Sequence, residues 1–223
     1  MAVIGVISMV IALVIGFFLF MWLPSFVADL ILGEGMNTWK PAIEGVMRII
    51  IFITYMYLTS LMKDIKRLFM YHGAEHKSIF CYEKGLELTV ENVKKQKRFH
   101  PRCGTSFIFL SLIVSIAIST TVVVIWPQLR NEEMRMIWMG IKILLLPLIM
   151  SVGYEMIRLA GKHDNILTRI ISAPGTLMQR ITTKEPTDDI IEVGILSLKV
   201  ALGMEKENIN ELKKETEVEN NDD

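Results

Sequence analysis

Four apolar blocks, each about as long as a bilayer is thick, constrain this chain more than any other feature. A helix rises about 1.5 Å per residue, so roughly 20 apolar residues cross a hydrocarbon core of about 30 Å. Ala2 to Leu23 carries one hydroxyl, Ser8, and the first charge is Asp29. The second block runs from Ala42 to Met62. The third runs from Phe107 to Trp126, where Pro127 ends it, and the fourth from Met136 to Ile157. The expected fold is therefore an all-α integral membrane protein with four transmembrane helices. The first block exceeds a signal h-region and lacks both a basic n-region and an Ala-x-Ala cleavage site, so it reads as a retained anchor.

Lysine and arginine bias sets the expected orientation. The segment 63–106 holds ten of them, the segments 24–41 and 127–134 together hold two, and the stretch from Arg158 onward holds nine. A cytoplasmic helical loop between spans two and three, with both termini on the same side, fits that bias. The expected organisation has five parts: 1–62 with the first two spans, 63–106 as the cytoplasmic loop, and 107–160 with the last two spans. A cytoplasmic, membrane-associated helical segment (161–204) follows, then an acidic disordered tail (205–223). Within 161–204, Asp188 and Asp189 suit a helix N-terminus, and Ile191, Ile195, Leu198 and Leu202 form an apolar stripe. The tail has eight acidic and three basic residues and few large apolar side chains. Net charge is zero, which excludes nucleic-acid binding through bulk charge. Two cysteines cannot build a disulfide framework.

Three of the four histidines fall in the 63–106 loop. His72-Gly73-Ala74-Glu75-His76 is an H-x-x-E-H pattern. On a helix the two imidazoles share a face and can hold one divalent metal, with Glu75 placed to activate a metal-bound water. Gly73 inside the pattern weakens the helix assumption. His100-Pro101-Arg102-Cys103 follows directly before the third span. His and Cys both suit zinc or another borderline metal. With the second helix continued past Met62, topology brings His72, His76, His100, Cys103 and Glu155 to one side of the membrane. Each has a plainer reading: solvated histidines, a packing or reactive thiol, and a Glu155–Arg158 ion pair, which is slightly favoured over ligation. Cys81, beside Phe80 and Tyr82, reads as a small buried hydrophobe. Glu44 and Arg48 at i and i+4 pair on one helix face; with Lys142 they read as helix packing, a substrate pathway being the lesser alternative. The run Lys94-Lys95-Gln96-Lys97-Arg98 reads as a contact for anionic headgroups.

Tyr71-His72-Gly73-Ala74-Glu75-His76-Lys77 and His100-Pro101-Arg102-Cys103-Gly104-Thr105-Ser106-Phe107 closely resemble the signatures of the YqhQ-like family of bacterial multi-pass membrane proteins. Glu44-Gly45-Val46-Met47-Arg48, Lys63-Asp64-Ile65-Lys66-Arg67, Tyr154-Glu155, Pro174-Gly175, Gln179, Thr182-Thr183 and Glu185-Pro186 extend the likeness to about Leu202. The resemblance implies a bacterial cell-membrane location and a metal site at His72, Glu75, His76, His100 and Cys103. It supplies no known reaction, although the family is commonly labelled a predicted metal-dependent enzyme. Members usually carry a Gly-Gly-Gln-Ala-type segment before the first span, whereas this sequence opens inside that span, so roles needing that segment are not carried over.

Two functions are expected from these features. The first is a metal-dependent membrane hydrolase with a divalent cofactor, zinc being the first candidate. In it Glu75 is the general base and Arg102 stabilises developing negative charge, while His72, His76 and one of His100, Cys103 or Glu155 are ligands. Its substrate would be lipid-like or a membrane-protein segment. The second is a non-catalytic scaffold or assembly factor, with the His/Cys cluster as a clamp and the C-terminal segment recruiting a protein partner. Membrane lipids are expected partners in both, a homo-oligomer is compatible with both, and nucleic acid is expected in neither. Transport is the weakest reading, since four spans offer little pore lining.

Overall fold

The computed structural model describes residues 2–33, 39–163 and 165–204. The expected disordered tail, 205–223, lies outside the described residues. Within them the chain is helical, with no strand. Four helical stretches are long and apolar enough to cross a membrane: Val3–Leu32, Lys40–Ser60, Gly104–Ile125 and Met136–Lys162. The chain divides into two compact units, residues 1–59 with 101–178 and residues 60–100 with 179–223.

In the first unit, α1 (Ala2–Phe17) and α2 (Leu23–Leu32) are joined by a π-helical turn over Phe18–Trp22. The apolar stretch therefore runs nine residues past the expected end at Leu23. Pro24 explains the turn. Its ring cannot donate a hydrogen bond and crowds the carbonyl four residues back, that of Phe20. The Phe20 carbonyl instead accepts from Arg48 Nε at 3.0 Å, on α3 (Lys40–Ser60). The other end of the same guanidinium meets Glu44 at 3.0 Å, the expected i,i+4 pair, and Lys40 pairs with Asp29.

The rest of this unit is α6 (Gly104–Ile125), α7 (Arg135–Lys162) and most of α8 (Ile166–Thr182). Small residues let these helices approach closely. A Cβ on Gly153 of α7 would stand 2.7 Å from Ser111 Oγ of α6, and one on Gly45 of α3 would collide with Ile116. Exposed large side chains such as Leu144, Met136 and Ile143 cover the outside. That surface suits lipid, which demands no polar contacts.

The second unit is built from α4 (Lys63–Glu83), α5 (Val90–Lys94) and α9 (Asp188–Ala201). Segments 63–106 and 161–204, separate in the sequence reading, thus both contribute to one compact body. Its core is Ala74, Cys81, Val93, Ile190, Ile191 and Ile195. Cys81 is fully buried as expected, and burial pushes its thiol pKa up against the opposing pull of Lys84. Gly85, at φ +66°, ends α4; the Leu86 N–H then reaches back to the Cys81 carbonyl at 3.1 Å. Thr89 caps α5 by accepting from the Asn92 N–H at 3.3 Å. The second span does not continue straight into α4: Met62 is extended (φ −70°, ψ 137°), which separates α3 from α4. Asp64 in the first turn favours a new helix start there.

Candidate metal centre

The H-x-x-E-H motif lies wholly within α4, Gly73 included. The glycine is required there for space: a Cβ would run into the Lys184 backbone carbonyl. Next to it, the Lys184 N–H donates to the Phe69 carbonyl at 2.8 Å. The connecting stretch at Lys184 thus lies directly on one face of α4, where any side chain at position 73 would lift it away. Ala74, one residue on, faces Gly194 of α9; a Cβ on that glycine would come within 3.1 Å of the Ala74 methyl.

His72 and His76 stand side by side, with ring centroids 4.4 Å apart and planes at 66°. Their candidate ligand nitrogens lie within 4.8 Å of one another. His76 is 3% exposed. His72 Nδ1 is 2.8 Å from the Thr182 carbonyl oxygen, and His76 Nδ1 is 2.5 Å from that of Arg98. A carbonyl can only accept, so each Nδ1 carries the proton and each ring is held in one tautomer. The lone pair is then on Nε2 in both residues. Metal-bound histidines are usually held in this way, with the far N–H on a carbonyl.

His100 belongs to the same unit but is held differently. Its backbone N–H donates to Gln179 Oε1, and its carbonyl accepts from Gln179 Nε2, both at 2.7 Å. The ring lies against Phe80 at 4.6 Å and His76 at 5.7 Å, measured between centroids. Its Nε2 faces the Glu83 carboxylate at 3.5 Å. Glu75 is solvent-exposed on α4.

In the first unit, Cys103 is buried at the N-terminal boundary of α6, with Sγ 3.1 Å from the Thr105 hydroxyl. Arg102 is exposed and its aliphatic stem lies across Gly161. Glu155 pairs with Arg158 at 3.1 and 3.3 Å, both side chains more than half exposed.

Four contributors escaped the sequence reading. The backbone carbonyls of Thr182 and Arg98 orient the imidazoles, and no side-chain pattern encodes that role. Gln179, fully buried, had shown only as one of several matching residues beyond the last span. Lys77 follows His76 and is 3% exposed, yet it is paired with Glu185 and donates to the Lys94 carbonyl at 3.0 Å. Glu185 also takes Arg98 at 3.4 Å. The basic run is engaged inside this unit: Lys94 pairs with Asp188, Lys95 with Glu91 and Arg98 with Glu185. Three of its four cations therefore meet carboxylates of the same unit, a feature that the headgroup reading had not included.

Residues 1–204 match the family described as "Protein of unknown function (DUF1385)". The chain is also similar to "Uncharacterized protein YqhQ" of Bacillus subtilis (strain 168), 37% identical over 207 residues. That alignment covers 92% of this chain and 61% of the relative, so the chain spans less than two thirds of that protein's length. No solved structure matches it.

Proposed function

This chain belongs to the DUF1385 family, and from its imidazole pair we propose a metal-dependent hydrolase of the bacterial cell membrane. The reading takes the four apolar helices as membrane spans and the second unit, with both termini, as cytoplasmic. One observation carries it: both Nδ1–H groups are committed to backbone carbonyls, so the unprotonated nitrogen of each ring is Nε2, and at i and i+4 the two imidazoles share one face of α4. Two oriented imidazoles suit zinc or a similar borderline ion, whose bonds to nitrogen are about 2.0–2.1 Å. Cys103 is the proposed third ligand. It follows His100 by three residues, so the chain allows at most about 10 Å between their α-carbons. His100 and Glu155 are the weaker candidates, because the structure gives each a carboxylate or guanidinium partner.

A divalent ion held there would supply Lewis-acid activation of water. The residues of the chain do the rest. Glu75, exposed beside the pair, accepts the proton of the attacking water, and Arg102 steadies negative charge on the substrate. A substrate that partitions to the membrane surface, lipid-like or a membrane-protein segment, fits a site carried on the loop between spans two and three.

A scaffold reading has one observation in its favour. The same two imidazoles tie α4 to residues 98 and 182, which is what a clamp does. Glu75→Gln separates the two readings. The purified variant and wild type would be compared on lipid esters, phosphodiesters and membrane-segment peptides in mixed micelles, with metal content measured alongside. The hydrolase reading expects metal retained and turnover reduced by about 100-fold or more. Wild-type turnover in Glu75→Gln, or none with any substrate in metal-loaded wild type, favours the clamp.

A further inference from the structure

A second polar site lies among the apolar helices of the first unit, independent of the imidazole pair. Glu44 and Arg48 of α3, Ser115 and Ser119 of α6, and Lys142 of α7 line a cavity of about 30 Å³. Pro41, Gly45, Leu112 and Ile116 complete its walls. Ser115 and Ser119 are four residues apart and so share one face of α6. Three helices, each apolar enough to span a membrane, therefore turn their polar groups toward one small space.

The charges in this space do not balance. Arg48 is committed on both edges, to the Phe20 carbonyl through Nε and to Glu44 through Nη2, each at 3.0 Å. Glu44 is thus used by Arg48, and the neighbouring Asp29 is used by Lys40. Lys142 lies with its ammonium 5.0 Å from the centroid of the Trp138 ring. An aromatic face eases a cation but does not neutralise it. Among the described residues that line the cavity, two cations and one carboxylate leave one positive charge in excess. Within a bilayer such a charge is costly unless a counter-charge or water meets it.

We propose that this cavity binds an anionic group of single negative charge, held by Lys142 and the hydroxyls of Ser115 and Ser119. A polar space of about 10–15 Å³ takes one water, so the cavity admits an atom or two. That suits a halide ion, or one oxygen of a lipid phosphate whose remainder stays among the headgroups. The chemistry is shared, and the source is separated by experiment.

The full chain would be delipidated in detergent and reloaded with phosphatidylglycerol or with chloride alone. Native mass spectrometry counts retained lipid, and chloride NMR line broadening reports the free anion. Lys142→Met should lower the responsive signal by about tenfold, and Lys142→Arg should restore most of it. Glu44→Gln removes the one carboxylate among the described residues of the cavity, so binding should tighten. Each variant is read on monodisperse protein with the wild-type melting temperature, and Glu44→Gln decides alone if Lys142→Met does not fold. Lipid retention that follows these variants assigns the lipid source, and chloride broadening that follows them without lipid retention assigns the free anion. Equal binding in wild type and Lys142→Met, or unchanged or weaker binding in Glu44→Gln, overturns the proposal.

Discussion

The two units bury polar side chains for different ends. In the first, a few charges sit among apolar helices, and their partners repair local faults: Arg48 takes up the carbonyl that Pro24 frees. In the second, His76, Lys77, His100, Gln179, Thr182 and Thr183 are all buried, and the His72 imidazole and the Gln179 amide meet backbone groups 110 and 79 residues away in sequence. Polar burial in the first unit preserves a helix. In the second it joins distant segments and fixes which imidazole nitrogen carries the proton. That difference locates the candidate metal centre, since orienting a ligand requires a rigid partner behind it.

The comparison can be broken most forcefully at Gly73. Gly73→Ala puts a methyl into the Lys184 carbonyl, so residues 183–187 must lift from α4 and the Thr182 contact to His72 goes with them. A loss of about 4 kcal/mol in the second unit is expected, read as faster hydrogen exchange of α4 amides while the exchange of α6 and α7 is unchanged. Loss of protection in both units alike would contradict the division. Next is Gln179→Leu, which keeps the volume and strands the buried N–H and carbonyl of His100. Unmade bonds at two buried backbone groups cost about 3 kcal/mol together; a variant melting like wild type would mean that His100 is held by something else.

Glu185→Gln sharpens the same point with a smaller effect. It leaves the Lys77 ammonium buried beside a neutral amide, but Glu185 itself is 60% exposed. The loss should be about 1–2 kcal/mol rather than the larger cost of a fully buried pair. Glu185→Gln with Lys77→Met should recover most of it, and failure to recover would assign Lys77 another task.

The smallest effect concerns Asp189, at the start of α9. A hydrogen bond from the Thr187 hydroxyl, chiefly, holds its carboxyl below the ordinary carboxylate range, helped by backbone N–H groups and by Arg67. A depressed folded pKa stabilises above the unfolded value, and that stabilisation is lost as the pH falls through the folded one. Thr187→Ala should therefore lower the melting temperature slightly at neutral pH. The gap from wild type should close in acid, whereas a gap independent of pH would point to capping geometry alone.

Much of this architecture was legible in the sequence. The four apolar helices follow from length and hydropathy, because a bilayer imposes both. The i,i+4 pair Glu44–Arg48, the burial of Cys81 and the helix beginning at Asp188 are local features, readable from spacing. What sequence could not supply is distance closed by folding. Thr182 and Gln179 lie 110 and 79 residues from the histidines they hold, and their role runs through backbone or amide groups that leave no chemical signature. Gly73 counted against a helix on propensity, yet tertiary crowding makes glycine the residue that keeps α4 next to residue 184. The break at Met62 was missed because the apolar run ends where the loop begins, so composition hides the boundary.

The central claim is that His72 and His76 are oriented to hold a metal. The most direct test is metal content per chain in detergent-purified protein, loaded in turn with zinc, manganese and iron, beside His72→Ala and Cys103→Ser variants. The account predicts about one ion per chain in wild type, with affinity lowered at least about 100-fold in each variant. Protein that stays metal-free after loading with all three ions would contradict it and leave the imidazoles as a hydrogen-bonded clamp.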